Sequence, residues 1–478
     1  MTVQLQRPLV IGGIGLTLGL WGLDSVFHSL SGLGDILTIG AAAAGGGYWW
    51  YSQQGKTTAI APASLDRPGL DRVVHQVELT IERLKVESGD SSQIEQLQHH
   101  LAQAQTNLSR TARHIAITGG RNVGKSALMQ LLTTAPVPST APLRYIETPA
   151  LFTVEADRQT INAQTQGTIV NADLVLFMIN GDLTATEYNY LSTLNRSPQR
   201  VILLLNQIDR YLPDERTLML QKLKSTLDNT LAPQDIIATS TAPAPIKVRK
   251  IQLDGSTVES METAPIELAS FTSQLTNILA TESEKLVLAT AYRQTVAVQT
   301  VAKAALNSIR RGHALPMIDQ NQWIVATAAF ANPLPALDLL ATAAVNAQMV
   351  IDLGGIYQQK FSLEHAQAAS GAIGTAIFQL GLVEICTQTV AGLLKTNAVT
   401  YMAGGLVQGL SAAYLTRIAG LTLIEYFEAQ DLLNPEPTRA WNFDLLTQTL
   451  QRVFQANQRV AYLQTIFKQG VDKLVPQN

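Results

Sequence analysis

Short, mostly apolar runs alternate with segments of helical hydrophobic spacing through the middle of the chain. Residues 114–118, 173–179 and 201–205 are such runs, and apolar residues recur every three to four positions between them. Strands without a polar face are typical of a parallel sheet covered on both sides. Alternating strands and helices predict right-handed βαβ units. We therefore expect a doubly wound α/β domain over residues 111–281, with ligands bound at the carboxyl ends of its strands.

Two uncharged runs, residues 8–23 and 36–51, precede this domain and predict a transmembrane hairpin within residues 1–56. Each run is slightly shorter than the roughly 20 residues of a full span. Four consecutive aromatic residues end the second run, as at a membrane interface, and Arg7 and Lys56 place both ends on the cytoplasmic side. A cleaved signal peptide and a buried hairpin of a soluble protein are the alternatives.

Residues 57–110 are predicted to form a linker and then a helical stalk. Apolar residues recur at helical spacing along two segments, which contain Leu70, Val73, Val77, Ile81 and Leu84, and then Ile94, Leu97, Leu101 and Leu108. Residues 89–92 separate the two helices, and Ser91 or Ser92 is the expected N-cap. Simple packing helices and a coiled-coil partner site explain this pattern equally well.

The remainder, residues 282–478, is predicted to be an all-α domain. Apolar segments fill residues 329–345, 371–394 and 399–427, and an amphipathic helix is expected over residues 440–474. Pro333 and Pro335 predict a kink and a helix start. Charged residues interrupt every candidate span, which favours a soluble bundle with buried or rim ion pairs over membrane-spanning helices. These residues are Asp338, Asp352, Glu384 and Arg417.

Composition favours membrane contact and argues against other kinds of site. Only 15% of the residues are charged and the mean hydropathy is +0.11, values unusual for a soluble protein. The net charge of −3 provides no basic surface for nucleic acid. Cys386, the single cysteine, excludes an internal disulfide. The adjacent His99 and His100 point to different helix faces and are expected to be surface residues rather than metal ligands.

Residues 119–126 read Gly-Gly-Arg-Asn-Val-Gly-Lys-Ser and fit the phosphate-binding pattern G-x-x-x-x-G-K-[ST] between a predicted strand and a predicted helix. Gly119 and Gly124 allow the backbone to approach a ligand closely. Successive N–H groups at the helix N-terminus would form an anion-binding nest. Lys125 would reach the β- and γ-phosphates as a catalytic residue, and the Ser126 hydroxyl would ligate Mg²⁺. The other residues expected to contact the phosphates are Asn122, Val123 and Ala127.

Residues 206–209 read Asn-Gln-Ile-Asp and resemble the N-K-x-D motif by which Ras-like GTPases select guanine. The resemblance implies GTP and GDP as ligands, with Asp209 accepting hydrogen bonds from the base and Asn206 holding the loop. Gln207 replaces the lysine whose stem covers the base, so binding is expected to be weakened rather than lost. Ser240 belongs to a segment, residues 238–242, that loosely resembles the S-A-K base loop. Adenine-nucleotide binding and a plain Asx-capped turn stay open.

The remaining GTPase motifs are altered. Glu147 replaces the aspartate of the family's D-x-x-G segment and is the second expected catalytic and metal-binding residue. Ala150 replaces its glycine, and Leu151 replaces the glutamine that orients water in Ras-type enzymes. The last change resembles the Era/TrmE side of the superfamily. Hydrolysis is therefore expected to be slow, or to need a group from a partner or dimer. Candidates for the switch I threonine are Thr133, Thr134 and Thr140.

Over residues 282–430 the C-terminal helices resemble a domain of unknown function shared by bacterial GTPases and YcjF-type inner-membrane proteins. The resemblance rests on the P-x-P-x-x-D turn at residues 333–338, on residues 348–350 with Tyr357, and on the Gly-rich segment ending at Arg417. It implies membrane association and coupling to a GTPase. The expected protein is a membrane-anchored nucleotide switch, whose partners are guanine nucleotide, a lipid membrane, and a homodimer or an unidentified protein. A nucleotide-binding scaffold and a dynamin-like membrane remodeller are the alternatives.

Overall fold

A computed structural model of the protein describes residues 65–152, 158–251, 257–331, 335–395, 404–429 and 441–457. The hairpin predicted within residues 1–56, Pro333, and the last part of the helix predicted over residues 440–474 lie outside the described residues. In the described part, the chain divides into two compact units between Lys303 and Ala304. Each unit has hydrophobic core clusters of its own.

The first unit begins with a helical hairpin, α1 Arg67–Glu87 and α2 Ser91–Thr106. The predicted apolar stripe is mostly buried, although Val73 is only half-buried and its neighbour Val74 is buried instead. The N-cap of α2 is Asp90 rather than Ser91 or Ser92. Its Oδ1 accepts from the backbone N–H groups of Ser92 and Gln93 at 3.1 and 3.3 Å, because a carboxylate at this position satisfies two free donors of the first turn.

A five-stranded parallel sheet forms the centre of the first unit. Its strands are β1 Arg113–Gly119, β2 Leu143–Glu147, β3 Leu174–Ile179, β4 Arg200–Leu205 and β5 Ile236–Ala238, in the order β2-β1-β3-β4-β5. The chain passes from β1 to β2 on one side and returns to β3 on the other, so the strand order reverses beside β1. The predicted parallel α/β sheet is confirmed, and the carboxyl end of β1 lies at its switch point.

Helices cover both faces of this sheet. They are α3 Lys125–Thr134, α4 Arg158–Val170, α5 Ala185–Arg196, α6 Pro213–Thr226, α7 Ala269–Thr281 and the start of α8 Ser283–Ala331. Residues from α4, α5 and α6 form one core, whereas α3, α7 and α8 contribute to the other. Because side chains alternate along a strand, β3 sends Val175 and Phe177 to the first core and Leu174 and Leu176 to the second.

An antiparallel ribbon follows β5. Strands β6 Pro245–Ile251 and β7 Thr257–Thr263 pair along their whole length. A bridge between Ser240 and Glu267 closes the base of the ribbon. The ribbon is therefore inserted directly after residues 238–242.

Buried ion pairs and hydrogen bonds hold the start of α8 against the sheet. The carboxylate of Asp173 is fully buried and accepts from Arg110 Nη2 at 2.5 Å and from Thr290 Oγ at 2.7 Å. Arg293 is also buried, and its Nη2 donates to the Ala172 carbonyl oxygen at 2.5 Å. These contacts lie just before β3 begins, at the edge of the sheet opposite its carboxyl ends.

The second unit is an all-α bundle, as predicted. It contains the rest of α8 together with α9 Pro335–Ile356, α10 Leu363–Gln379, α11 Leu382–Lys395, α12 Gly404–Ala429 and α13 Phe443–Asn457. One core includes the stacked rings of Phe361 and Trp441, whose centroids are 4.7 Å apart. Pro335 begins α9, as expected. Arg417 forms an ion pair with the half-exposed Asp319.

The apolar segment predicted over residues 371–394 is two helices rather than one. The chain turns at Gly381, which has a φ of +66° that suits glycine, and α10 meets α11 at 68°. Among the described residues, no single helix has the length and apolar composition to cross a bilayer. The bent pair Leu363–Gln379 and Leu382–Val390 meets these two criteria only when its helices are taken together.

Candidate nucleotide site

The loop after β1 has two positions at which only glycine fits. Gly119 has a φ of +145°, and a Cβ there would lie 2.2 Å from the Met178 carbonyl oxygen. Gly124 has a φ of +98°, and a Cβ there would lie 2.2 Å from Asn206 Nδ2. Both neighbours belong to strands or loops of the sheet and cannot withdraw without disturbing it. The phosphate-loop pattern is therefore also a packing requirement of this fold.

The start of α3 provides a fitting place for phosphate. Gly124 is the N-cap and supplies no side-chain cap, so the first N–H groups of the helix have no hydrogen-bond partner of that kind within the described part of the chain. Asn122 adopts a left-handed conformation with a φ of +59°, which helps to curl the loop around its centre. Free N–H groups and the positive end of the helix dipole together favour an anion. Val123 is buried under the loop, while Ala127 lies in the first turn of α3.

The Lys125 ammonium group is folded into the phosphate loop. Its Nζ donates to the carbonyl oxygens of Gly120 and Gly119 at 2.7 and 3.2 Å, and the side chain is only 7% exposed. Burial lowers the pKa of Lys125 below its ordinary value, and the nearby Glu147 carboxylate partly opposes that shift. A phosphate in the loop would replace these carbonyl partners with stronger, charged acceptors.

The Ser126 hydroxyl and the Glu147 carboxylate meet beside the loop. Ser126 Oγ donates to Glu147 Oε1 at 2.8 Å, across the gap between α3 and the end of β2. Neighbouring ligands of an octahedral Mg²⁺ ion lie about 2.9 Å apart when each is roughly 2.05 Å from the metal. The two oxygens therefore fit Mg²⁺ by donor type and by separation. The longer glutamate brings its oxygen to the hydroxyl, where the aspartate of the family motif would be one methylene shorter.

Asn206 joins the phosphate loop to the segment after β5. Its buried Nδ2 donates to the Val123 carbonyl oxygen at 2.8 Å and to Thr241 Oγ at 2.9 Å. Its Oδ1 accepts from Thr241 N at 3.1 Å and from Thr239 Oγ at 3.2 Å. The roles of Thr239 and Thr241 were missed by the sequence prediction. Because Asn206 uses both its donors and its acceptor, it fixes the position of one loop relative to the other.

Asp209 and Ser240 lie together at the expected base-recognition position. Ser240 Oγ donates to Asp209 Oδ1 at 2.7 Å, and the Ala244 N–H lies 3.3 Å from Oδ2. A carboxylate accepts about four hydrogen bonds, so acceptor capacity is left for a base. Gln207 has a left-handed φ of +63°, and its Nε2 donates to the Asn122 carbonyl oxygen at 2.9 Å. Gln207 thereby ties the loop that follows β4 to the phosphate loop, as Asn206 also does.

The segment after β2 continues along β1 toward the loop. The Thr148 N–H donates to the Ile117 carbonyl oxygen at 2.9 Å, and the Leu151 N–H donates to the Gly119 carbonyl oxygen at 3.0 Å. The Leu151 side chain is buried in a core of the sheet and does not face the phosphate loop. Ala150 is half-buried between these positions. The position expected to orient water is therefore a core residue.

The three switch I candidates are placed unequally. Thr133 and Thr134 lie in the last turn of α3, where each hydroxyl donates to the carbonyl oxygen four residues earlier. This bond is typical of a helical threonine. Thr140 is exposed in the link between α3 and β2, so it alone is a residue of the connecting segment.

Comparison with known proteins identifies the C-terminal domain. Residues 293–459 match the family described as "Domain of unknown function (DUF697)", so a domain of unknown function lies where the C-terminal resemblance was drawn. No curated protein matches the chain in sequence.

Two solved structures of low sequence identity are similar to this chain. The structure described as the LeoA bacterial dynamin GTPase from ETEC shares 12% identity, over 85% of this chain and 97% of that chain, with a TM-score of 0.27. A structure described as an oligomerised bacterial dynamin pair that senses and tethers membranes shares 12% identity, over 95% of this chain and 87% of that chain, with a TM-score of 0.26. Likeness at these TM-scores supports no conclusion about this chain.

Proposed function

We propose that this chain is a membrane-anchored GTP-binding protein of the Era/TrmE type, which hydrolyses GTP slowly and acts as a nucleotide-dependent switch. The observation that carries the proposal is the brace made by Asn206. It holds the phosphate loop at Val123 and the base loop at Thr239 and Thr241. A phosphate site and a carboxylate that reads guanine are thereby kept at a fixed separation, which a plain turn would not need.

Each residue has a defined task in this proposal. Lys125 leaves the carbonyl oxygens of the loop and neutralises the β- and γ-phosphates. Ser126 and Glu147 would hold Mg²⁺, which would neutralise charge on the phosphates when bound. Asp209 would accept hydrogen bonds from the N1–H and the 2-amino group of guanine, two donors that adenine lacks. Gln207 lies beside the base and keeps the two loops together.

The buried Leu151 supports slow turnover. No side chain at that position can orient a water molecule, so the chemical step depends on the phosphate loop, the metal and the backbone. The same observation favours a second function, a nucleotide-binding scaffold that does not hydrolyse GTP. Single-turnover hydrolysis separates them, because a switch converts its bound GTP to GDP and a scaffold releases it unchanged.

Equilibrium binding of fluorescent GDP and ADP to the full chain tests the proposed ligand. We expect GDP to bind at least about 100-fold more tightly than ADP, since adenine offers neither an N1–H nor a 2-amino donor to the half-buried Asp209 carboxylate. Lys125→Ala should abolish GDP binding. Lys222→Ala, which removes an exposed lysine paired with Asp182, is the matched control and should change nothing. Equal affinity for both nucleotides, or GDP binding that survives Lys125→Ala, would overturn the guanine proposal.

A further inference from the structure

The bend between α10 and α11 carries an exposed apolar surface. We call residues 378–385 the elbow. Phe378 is 78% exposed, and Val383 and Ile385 are 44% and 45% exposed. Three exposed large apolar side chains within eight residues concentrate apolar surface at this bend.

Beyond the first turn, which contains the exposed Glu364, the outer face of α10 lacks the charges that a water-facing helix normally carries. Its inner face is already buried in the bundle core, through Ala366, Ala369, Ile373, Ala376 and Ile377. No charged residue occurs from residue 366 to residue 383. The exposed positions are Gln367, Ala368, Gly371, Gly374, Thr375, Phe378 and Gln379. A helix with one covered face and an uncharged opposite face is unusual for a soluble bundle and is compatible with a lipid environment.

We propose that the elbow enters the interfacial region of a lipid bilayer as a re-entrant contact, separate from the anchor predicted at the N-terminus. This contact goes beyond the proposed switch and does not depend on nucleotide binding. Lipid is the favoured occupant because the bent pair has, taken together, the hydropathy and low charge of a span. The 68° bend and the length of α10, about 25 Å for 17 residues, prevent a straight crossing.

Glu384 limits the depth of the contact. It is exposed between Val383 and Ile385, and its Oε1 accepts from Gln388 Nε2 at 3.0 Å. A carboxylate in the hydrocarbon centre is costly, whereas at headgroup level it keeps contact with water. The elbow is therefore expected to stop where its apolar side chains reach the acyl chains and Glu384 stays hydrated, as interfacial segments do.

A fluorophore on the elbow tests this contact in the full chain. Phe378→Cys would be labelled with NBD and reconstituted in phosphatidylcholine and phosphatidylglycerol vesicles that contain lipids spin-labelled on the acyl chain. Cys386 is buried, so the label goes to the introduced thiol. Leu363→Cys is the matched control, because Leu363 is 58% exposed at the other end of α10. Val383→Cys is a second elbow position if the first variant does not fold.

We expect the acyl-chain spin labels to quench NBD at the elbow at least about threefold more strongly than at the control position. Quenching equal to that of the control would overturn the proposal. Protection from aqueous dithionite without lipid quenching would also overturn it. In that case, protection of NBD from dithionite that rises with the protein-to-lipid ratio would indicate that a second copy of the chain covers the elbow. Protection that is the same at every protein-to-lipid ratio would indicate that another segment of the same chain covers the elbow.

Discussion

Asn206 is the residue on which the geometry of the candidate site depends most. Its amide group makes four hydrogen bonds, to Val123, Thr239 and Thr241, and it also packs against Gly124. A buried amide with every donor and acceptor satisfied holds a single orientation. The phosphate and base loops therefore cannot shift independently.

Two glycines of the loop make a matched pair for testing this packing. Gly124→Ala places a Cβ against the Asn206 amide at a strained φ, so we expect GDP affinity to fall at least about 100-fold and thermal stability to drop. Gly120→Ala meets nothing closer than 3.7 Å and should leave both nearly unchanged. Isothermal titration with GDP and a thermal melt measure the two effects. Equal GDP affinity and equal thermal stability of the two variants would mean that the Asn206 side chain moves aside for an added Cβ and does not hold the loops rigidly.

Gln207→Lys tests the substitution that departs from the guanine motif. A lysine ammonium group could reach the same Asn122 carbonyl oxygen with a charged donor, which makes a stronger hydrogen bond than an amide. We expect GDP to bind about fivefold more tightly, which corresponds to roughly 1 kcal/mol. Gln207→Ala should weaken binding. Stopped-flow dissociation of a fluorescent GDP would measure both, and slower release from the alanine variant would contradict this role.

The sequence predicts some residues of the site better than others for physical reasons. Gly119, Gly124 and Lys125 belong to a pattern whose spacing is set by one local loop, so a short motif identifies them. Thr239 and Thr241 act through contacts to Asn206, more than 30 residues earlier in the chain. No local spacing encodes such a contact, so only the fold reveals it.

At the scale of elements, removing one partner of the buried ion pair just before β3 should destabilise the first unit. Asp173→Asn replaces an acceptor-only carboxylate that faces Arg110 and the His114 N–H. We expect a loss of about 3 kcal/mol, because removing one partner leaves a buried donor set unmatched. Hydrogen exchange of the β1 and β3 amides in the full chain would report it.

Asp182→Asn is the control for that measurement. Asp182 pairs with Lys222 at 3.0 Å, but both side chains are more than 60% exposed. The expected change is below about 0.5 kcal/mol. Similar exchange rates in the two variants would show that losing the buried carboxylate of Asp173 destabilises the first unit no more than losing an exposed one.

The elements themselves follow from the sequence to different degrees. Strands β1, β3 and β4 were predictable because each has an apolar centre between turn residues, and β3 and β4 are buried on both faces. The break at Gly381 was not, because apolar residues continue at helical spacing on both sides of a single glycine. The N-cap at Asp90 was missed because three neighbouring residues, Asp90, Ser91 and Ser92, are all good caps.

At the scale of the whole molecule, the rate of turnover and its dependence on concentration separate the remaining functions. For the proposed switch we expect intrinsic hydrolysis on the order of 10⁻³ s⁻¹ or slower, since Leu151 cannot orient water. The rate per molecule should stay constant as protein concentration rises. Phosphate release measured over a hundredfold concentration range, with vesicles and without them, would test this. A rate that climbs steeply with concentration or lipid would indicate self-assembly, as in a membrane remodeller.

The most direct test of the central proposal is a change of base specificity at Asp209. Guanine offers two donors to the carboxylate, whereas xanthine carries a carbonyl in place of the amino group and suits an amide. In competition binding to the full chain, Asp209→Asn should therefore bind GDP at least about 100-fold more weakly than the unaltered chain does, and should bind xanthosine diphosphate more tightly. Asp214→Asn, an exposed position on α6, should keep the GDP preference of the unaltered chain. Unchanged GDP affinity in Asp209→Asn would contradict guanine recognition by this site.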